Sequence, residues 1–142
     1  MAIEQTFAMI KPDAIEDNHT GAIVSRIESE GFTILRLEKC MLERELVEEF
    51  YSEHKERSFF NEMVDGMCNG PVVLMALEKE AAVSEWRNLI GVTDPAQAAD
   101  NTLRKLYGRN VGSNAVHGSD AVETAERELG LMFSNDTHID EA

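Results

Sequence analysis

Basic residues are scarce in this sequence: 13 lysines and arginines stand against 27 aspartates and glutamates, a formal net charge of −14. That balance argues against broad nucleic-acid binding, because phosphate contacts need a basic face. Internal repeats are lacking, and no apolar run approaches the ~20 residues that span a bilayer. The first residues also lack the basic-then-apolar layout of a signal peptide. We therefore expect no membrane partner, no specific nucleic-acid partner and a cytoplasmic location.

Cysteine and metal-binding patterns are scarce as well. Cys40 and Cys68 are isolated thiols, and Cys40, which ends an apolar run, is expected to be buried and inert. The sequence has no Cys/His spacing, no carboxylate cluster and no Walker-type glycine loop. His19, His54 and His138 are scattered, so we do not expect them to bind a metal.

What the sequence does have is hydrophobic periodicity for one domain of 142 residues, 43% of them hydrophobic. The run 72–77 is continuously apolar and predicts a buried central strand. Asp120 with Glu123 predicts an N-cap and its N3 partner. The predicted elements are a strand at 3–10, a helix at 20–30, a strand at 32–41, helices around 46–51 and 59–67, a strand at 72–77, a helix at 83–90, a short strand at 114–117 and a helix at 122–132.

This order fits a split β-α-β plan, an antiparallel four-stranded sheet with helices on one face. The pattern alone leaves both α+β and α/β folds open. From Gly91 to Ala115 it dissolves, apart from one helical turn around 102–106. A long irregular stretch in a compact domain is usually functional or disordered. Because this stretch carries Thr93, Arg104 and Asn114, we predict that it is functional rather than disordered.

The segment 114–120, Asn-Ala-Val-His-Gly-Ser-Asp, places His117 between a short apolar run and a helix start. Imidazole is nucleophilic and largely neutral near pH 7. The Gly118 amide, the Ser119 hydroxyl and the free N–H groups of a new helix are donors that suit a phosphate. A hydrogen-bonded structural role is the alternative for a lone histidine.

Motifs along nearly the whole chain resemble, in the same order, those of the nucleoside diphosphate kinase family. The resemblance implies a ferredoxin-like α+β fold and a phosphotransferase that moves the γ-phosphoryl of ATP or another nucleoside triphosphate to a nucleoside diphosphate. It also implies a ping-pong mechanism through phosphohistidine, broad base specificity, Mg²⁺ carried on the phosphates, and a homo-oligomer, with a tetramer favoured over a hexamer or dimer. The matching segments are 6–14, 50–51, 54–55, 59–60, 70–73, 87, 91, 93–95, 98–99, 102–104, 114–120 and 125–128.

The resemblance implies five catalytic residues. His117 is the nucleophile, Glu128 orients its ring, and Lys11 contacts the transferred phosphate. Tyr51 supports the site, and Ser119 either hydrogen-bonds near the phosphoryl group or caps the helix. The alternatives are an exposed helix carboxylate for Glu128, a solvated side chain for Lys11 and an interior helix position for Tyr51.

The resemblance also implies the nucleotide-binding residues. Arg87 and Arg104 grip the β- and γ-phosphates with planar forks, and Thr93 donates its hydroxyl to a phosphate. Phe59 stacks on the base, and Asn114 hydrogen-bonds the sugar. The alternatives are a surface ion pair or stacking on Trp86 for Arg87, a turn role for Thr93 and core packing for Phe59, which is the role expected of Phe60.

Three departures from the family pattern concern loops. Ser58 stands where a proline is usual and is itself a good N-cap. Asn101 replaces a common glycine but tolerates positive φ, and the segment 106–108 differs as well. Every position assigned to chemistry is intact.

Two other function classes compete with this one: a nucleotide-binding regulatory or scaffold protein without turnover, and a nucleic-acid-binding module. The acid excess reflects either solvated helix faces or, as a weaker alternative, a high-salt habitat. We expect one domain over 1–142 with a short flexible tail at about 134–142.

Overall fold

A computed structural model describes residues 3–133 and contains one four-stranded sheet. The strand order is β2-β3-β1-β4, and every neighbouring pair is antiparallel. This arrangement confirms the ferredoxin-like fold and the central position of the run 72–77. The expected tail at 134–142 and His138 lie outside the described residues. The strands are β1 (Ile3–Ile10), β2 (Thr33–Cys40), β3 (Val72–Glu80) and β4 (Val116–Gly118).

Seven helices connect and follow the strands in the described range. The helix α1 is not predicted by periodicity, because it is one turn long and begins at Pro12, a residue suited to the first helical position. The helices are α1 (Pro12–Glu16), α2 (Thr20–Ser29), α3 (Arg44–Phe50), α4 (Phe60–Cys68), α5 (Ala82–Ile90), α6 (Leu103–Tyr107) and α7 (Val122–Met132), with 3₁₀ turns at Ser52–His54 and Pro95–Gln97. None of the helices within residues 3–133 is long and apolar enough to cross a membrane.

The core has two layers, one on each face of the sheet. Along β1, Ala8 and Ile10 join one buried cluster while Phe7 and Met9 join the other. The first cluster is closed by α2 and α5, and the second by α3, α4 and α7. The prediction of helices on one face only is therefore wrong. Both faces of β1 are apolar, so both must be covered.

Two predicted helix caps are also wrong. The N-cap of α7 is Ala121, and its side chain accepts no hydrogen bond. The N-cap of α4 is Phe59 rather than Ser58. In both cases the backbone becomes helical one residue later than the capping pattern requires.

Candidate active site

The backbone of His117 is held from two sides. In β4, His117 lies opposite Met9 of β1. On the other side, the Trp86 indole Nε1 donates to the His117 carbonyl at 3.1 Å. Gly118 permits this close approach, because a Cβ at that position would lie 2.6 Å from Trp86 Cδ1. The predicted nucleophile therefore sits on a backbone with little freedom to shift.

The His117 ring is oriented by packing and by one hydrogen bond. Its centroid lies 5.1 Å from that of Phe50 and 5.8 Å from that of Phe7. Its Nε2 is 3.0 Å from Glu128 Oε1. A carboxylate accepts hydrogen bonds, so in the neutral ring this contact favours the tautomer with the proton on Nε2 and the lone pair on Nδ1.

Glu128 is buried in the second turn of α7, with only 5% of its surface exposed, so the exposed-carboxylate alternative does not describe it. The hydroxyl of Ser119 donates to the same Oε1 at 2.7 Å. Ser119 is fully buried and caps no helix. Of its two predicted roles, the structure thus excludes the cap and places the hydroxyl on the carboxylate that faces His117.

A tight turn leads into β4. The Val116 amide donates to the Asn114 carbonyl at 2.9 Å, a γ-turn in which the central residue Ala115 has φ +78°. Lys11 contacts the turn twice: its amide donates to the Ala115 carbonyl, and its Nζ donates to Asn114 Oδ1, both at 2.8 Å. β4 therefore begins at Val116, two residues after the start of the predicted strand at 114–117.

Arg104 lies close enough to Lys11, and Arg87 close enough to Arg104, to lower the pKa of its neighbour. Burial lowers the pKa of Lys11 to about 8, helped by the positive charge of Arg104 and opposed by Asp13. Burial and the charge of Arg87 lower the pKa of Arg104 to about 10. Burial is the larger cause of both shifts, and repulsion between neighbouring cations adds to it, so a bound anion would stabilise the charged forms of Lys11 and Arg104.

Arg104 and Arg87 differ in how their donors are used within the protein. Arg104 donates from Nη1 to the Gly91 carbonyl and from Nη2 to the Val116 carbonyl, both at 2.9 Å, while its buried Nε has no partner among residues 3–133. Arg87 is exposed and forms no ion pair within the same range. The ion-pair alternative for Arg87 therefore finds no support.

The rings of Tyr51, His54 and Phe59 form an aromatic wall at the border of the site. Tyr51 is buried, and burial together with the charge of Glu128 raises its pKa. The Phe59 ring is 42% exposed, which sets it apart from a core residue, whereas Phe60 packs against the core as expected. The His54 ring lies between those of Tyr51 and Phe59, with its centroid 6.4 Å from that of Tyr51 and 6.2 Å from that of Phe59.

His54 belongs to a segment that matches the family pattern but was not among the predicted site residues. Its buried Nδ1 has no hydrogen-bond partner among residues 3–133. The available signal is its spacing of three residues from Tyr51, which in a helical turn places both side chains on one face. The predicted inability of His54 to bind a metal stays a prediction.

The irregular stretch at 91–115 contributes the remaining predicted residues. Asn114 is buried and donates from Nδ2 to the Thr93 carbonyl at 3.0 Å. Thr93 itself is exposed, and its hydroxyl has no hydrogen bond to residues in the described range. The side-chain amide of Asn114 therefore links this stretch to Lys11, since it bonds both to Thr93 and to the Lys11 ammonium group.

A cavity of about 350 Å³ lies elsewhere, between α2, α5 and residues 100–102. Its lining includes the carboxylates of Glu30, Glu85 and Asp100, and the single basic residue Arg26, which is already bonded to Glu30. This excess of negative charge does not suit a phosphate. None of the predicted site residues lines it.

Comparison with known proteins agrees with the resemblance stated above. The family model for nucleoside diphosphate kinase matches residues 4–138. A nucleoside diphosphate kinase from Sorangium cellulosum is 54% identical over 134 residues, which cover 94% of this chain and 93% of that protein. The chain belongs to the nucleoside diphosphate kinase family. It is therefore an enzyme of the phosphotransferase class.

Solved structures of nucleoside diphosphate kinases have the same fold. The protein from Aquifex aeolicus is 40% identical and superimposes with a TM-score of 0.92 over 97% of this chain and 100% of that one. A halophilic nucleoside diphosphate kinase from Halobacterium salinarum in complex with CDP is 36% identical, with a TM-score of 0.91 over 99% of this chain and 94% of that one.

One departure from the nucleoside diphosphate kinase pattern is explained by the backbone. Asn101 has φ +76°, the left-handed conformation that a glycine adopts freely and that asparagine tolerates better than most residues. Its carbonyl accepts a hydrogen bond from Arg26 Nη2 at 2.9 Å. The turn before α6 is thus kept without the glycine.

The described part of the chain offers donors for phosphate rather than ligands for a metal. No group of three or more histidine, cysteine, aspartate or glutamate side chains within residues 3–133 is arranged to hold an ion. One oxygen of each of two carboxylates at the site is engaged within the protein, Asp13 Oδ2 by the Ala115 amide and Glu128 Oε1 by Ser119 and His117.

Proposed function

We propose that this chain transfers the γ-phosphoryl group of a magnesium nucleoside triphosphate, ATP among them, to a nucleoside diphosphate through a phosphohistidine at His117. In the first half-reaction the Nδ1 lone pair attacks the γ-phosphorus. The P–N bond forms as the bond to the β-phosphate oxygen breaks, and the diphosphate leaves. In the second, a terminal oxygen of another diphosphate attacks the phosphorus, and the electron pair of the P–N bond returns to Nδ1.

One observation carries the proposal: His117 Nε2 is 3.0 Å from Glu128 Oε1. This contact selects the tautomer whose Nδ1 is free to attack, and it stabilises the positive charge that the ring acquires when Nδ1 forms a bond. Glu128 is held in turn by Ser119, which donates to the same oxygen. Ser119 thus acts on the nucleophile through Glu128.

The three cations would bind the phosphates. Phosphoryl transfer needs alignment and charge stabilisation more than covalent help. Lys11 and Arg104 contact the turn and the strand that carry His117, so their charges are tied to the position of the nucleophile. Arg87 and the Thr93 hydroxyl lie free at the surface to meet the β- and γ-phosphates.

The nucleoside would lie against the aromatic wall. The exposed ring of Phe59 offers a face for stacking, and every base has a π-face, so we expect broad base specificity. Asn114 would hydrogen-bond the sugar. Its amide already bonds to Lys11 and Thr93, so the sugar contact would add to a preformed network. Buried Tyr51 would support the ring of His117 from the side of Phe50.

Magnesium would enter as part of the substrate. Mg²⁺ is commonly held by substrate phosphates together with water. It also reduces the charge of the polyphosphate, which a chain with a net charge of −14 otherwise repels.

We further propose that the chain forms a homo-oligomer, with a tetramer favoured over a hexamer or a dimer, and that it works in the cytoplasm. Free thiols at Cys40 and Cys68 suit a reducing compartment. Burial raises the pKa of Cys40 to about 11, as expected for an inert thiol. Sedimentation equilibrium of the full chain tests the oligomeric state.

The test of the mechanism is labelling of the purified chain with magnesium and ATP carrying label on its γ-phosphate. We expect label on the protein that is acid-labile, alkali-stable, discharged by GDP and absent in His117→Ala. His19→Gln is the matched control, because His19 packs on Tyr107 away from these residues. Nucleotide binding without phosphoenzyme or labelled GTP would instead establish a binding protein without turnover.

A further inference from the structure

We infer that the carboxylate of Asp13 positions His117 by holding the γ-turn that precedes it. Asp13 Oδ2 accepts a hydrogen bond from the Ala115 amide at 3.0 Å. Asp13 lies on α1, 102 residues earlier in the chain, so this contact joins two distant segments. The inference rests on the proposed role of His117 and adds a positioning residue to it.

The Ala115 amide needs this partner. Ala115 is fully buried, and the pairing of β1 with β4 begins only at Val116, so no strand is available to accept its N–H. Its φ of +78° is a conformation that L-residues avoid, and such a residue persists where its surroundings hold it. A buried amide without an acceptor would add to that strain.

The turn connects three parts of the site. Its first residue, Asn114, accepts from Lys11 Nζ, and its last, Val116, accepts from Arg104 Nη2 and precedes His117. If the turn relaxed, Lys11, Arg104 and His117 would shift relative to one another. The end of α1 and the residue after it also brace the loop before the turn, because Arg109 donates to Glu16 and Asp17.

Asp13 acts on charge as well as on shape. Its carboxylate favours the protonated form of Lys11, against burial and the charge of Arg104. Asparagine at position 13 keeps an oxygen acceptor for the Ala115 amide but removes the charge, whereas alanine removes both. The two variants therefore separate the two effects.

The experiment compares Asp13→Ala, Asp13→Asn and Glu16→Gln. Glu16→Gln is the matched control, because it neutralises a carboxylate on α1 while Asp17 still holds Arg109. In Asp13→Ala we expect kcat to fall about 100-fold, as a small misplacement of reacting groups does. In Asp13→Asn we expect kcat at pH 7 close to the parent and an alkaline limb of the pH profile that moves to lower pH.

Hydrogen exchange of the Ala115 amide gives a second readout that does not depend on activity. We expect faster exchange in Asp13→Ala, and parent-like exchange in Asp13→Asn and Glu16→Gln. Unchanged exchange and unchanged kcat in Asp13→Ala would overturn the inference, as would an equal loss of kcat in Asp13→Asn and Asp13→Ala. Absence of a phosphoenzyme in the parent would refute the proposed mechanism, while the exchange result would still decide whether Asp13 holds the turn.

Discussion

Arg104 donates from Nη2 to the carbonyl of Val116 at 2.9 Å, so a buried guanidinium is fixed to the residue before His117. The same fork reaches Gly91 through Nη1, which leaves the buried Nε without a partner among residues 3–133. Arg104 is thus a structural tie to the backbone of the site, and in the proposed function it also binds a phosphate.

Arg104→Lys tests that double role. Lysine keeps the charge but cannot reach both carbonyls and a phosphate with a planar fork. We expect kcat to fall and the free energy of unfolding to drop by about 2 kcal/mol, the cost of losing a hydrogen bond from a charged donor. Steady-state kinetics and urea unfolding measure the two effects. Arg44→Lys, at an exposed ion pair with Asp65, should change neither.

Glu128→Gln tests the orientation of His117. The amide is nearly isosteric but presents an N–H₂ group as well as an oxygen, so it no longer selects one tautomer of the ring. We expect the rate of phosphoenzyme formation to fall on the order of 10²-fold, the usual scale for a positioned acid–base group. Glu126→Gln on the exposed side of the same helix is the control. A normal rate in Glu128→Gln would rule out the orienting role.

The lowered pKa of Lys11 predicts opposite pH dependences for activity and stability. A neutral lysine cannot attract phosphate, so we expect kcat/KM to fall as pH rises through about 8. Stability behaves differently, because between pH 8 and 10.5 the unfolded chain binds more protons at this group than the folded one. The buried charge of Lys11 therefore lowers the free energy of unfolding at pH 8 and below, and this cost disappears as pH rises from 8 to 10.5.

Lys11→Gln isolates this effect from other titrating groups. The difference in unfolding free energy between parent and variant, measured by urea from pH 7 to pH 10.5, should shift in favour of the parent as pH rises. A difference that is flat over this range would show that the pKa of Lys11 is not lowered in the folded protein.

Phe59→Ala tests stacking on the base. We expect nucleotide affinity to fall by about 1–3 kcal/mol, similarly for purine and pyrimidine nucleotides. The ring is 42% exposed, so the free energy of unfolding should change little. Phe60→Ala provides the contrast, with a loss of stability and a smaller effect on affinity. A large stability loss in Phe59→Ala would mean that the ring serves the core instead.

Chelation tests how magnesium is held. Because no metal-binding group of side chains occurs within residues 3–133, we expect excess EDTA to abolish phosphoryl transfer without changing the melting temperature of the nucleotide-free protein. A fall in melting temperature on chelation would reveal an ion bound by the protein itself.

Sequence periodicity predicted the long elements well, because each one buries an apolar stripe. Both ends of β1 were predicted correctly, and α2 to within one residue. The helix α1 was missed and β4 was placed two residues early. Both are too short for periodicity to register, and their limits are set by contacts with distant residues.

The residue types of the site were visible along the chain, since His117, Lys11 and the arginines form recognisable motifs. The surroundings of these residues could not be predicted from the sequence. The burial of Glu128, the unpaired Nε of Arg104 and the contact between Asp13 and Ala115 all depend on segments far apart in sequence. Hydrogen bonds of this kind leave no local pattern, because each partner alone looks like an ordinary polar residue.

The sequence by itself thus determined the long elements through hydrophobic period, and the fold class, the family and the reactive groups through the resemblance of its ordered motifs, since period and motif order are one-dimensional properties. The tertiary structure decided which nitrogen of His117 carries the proton, which charges are buried together, and that helices cover both faces of the sheet. Those outcomes depend on distances between segments, and burial, electrostatics and hydrogen bonding act through such distances alone.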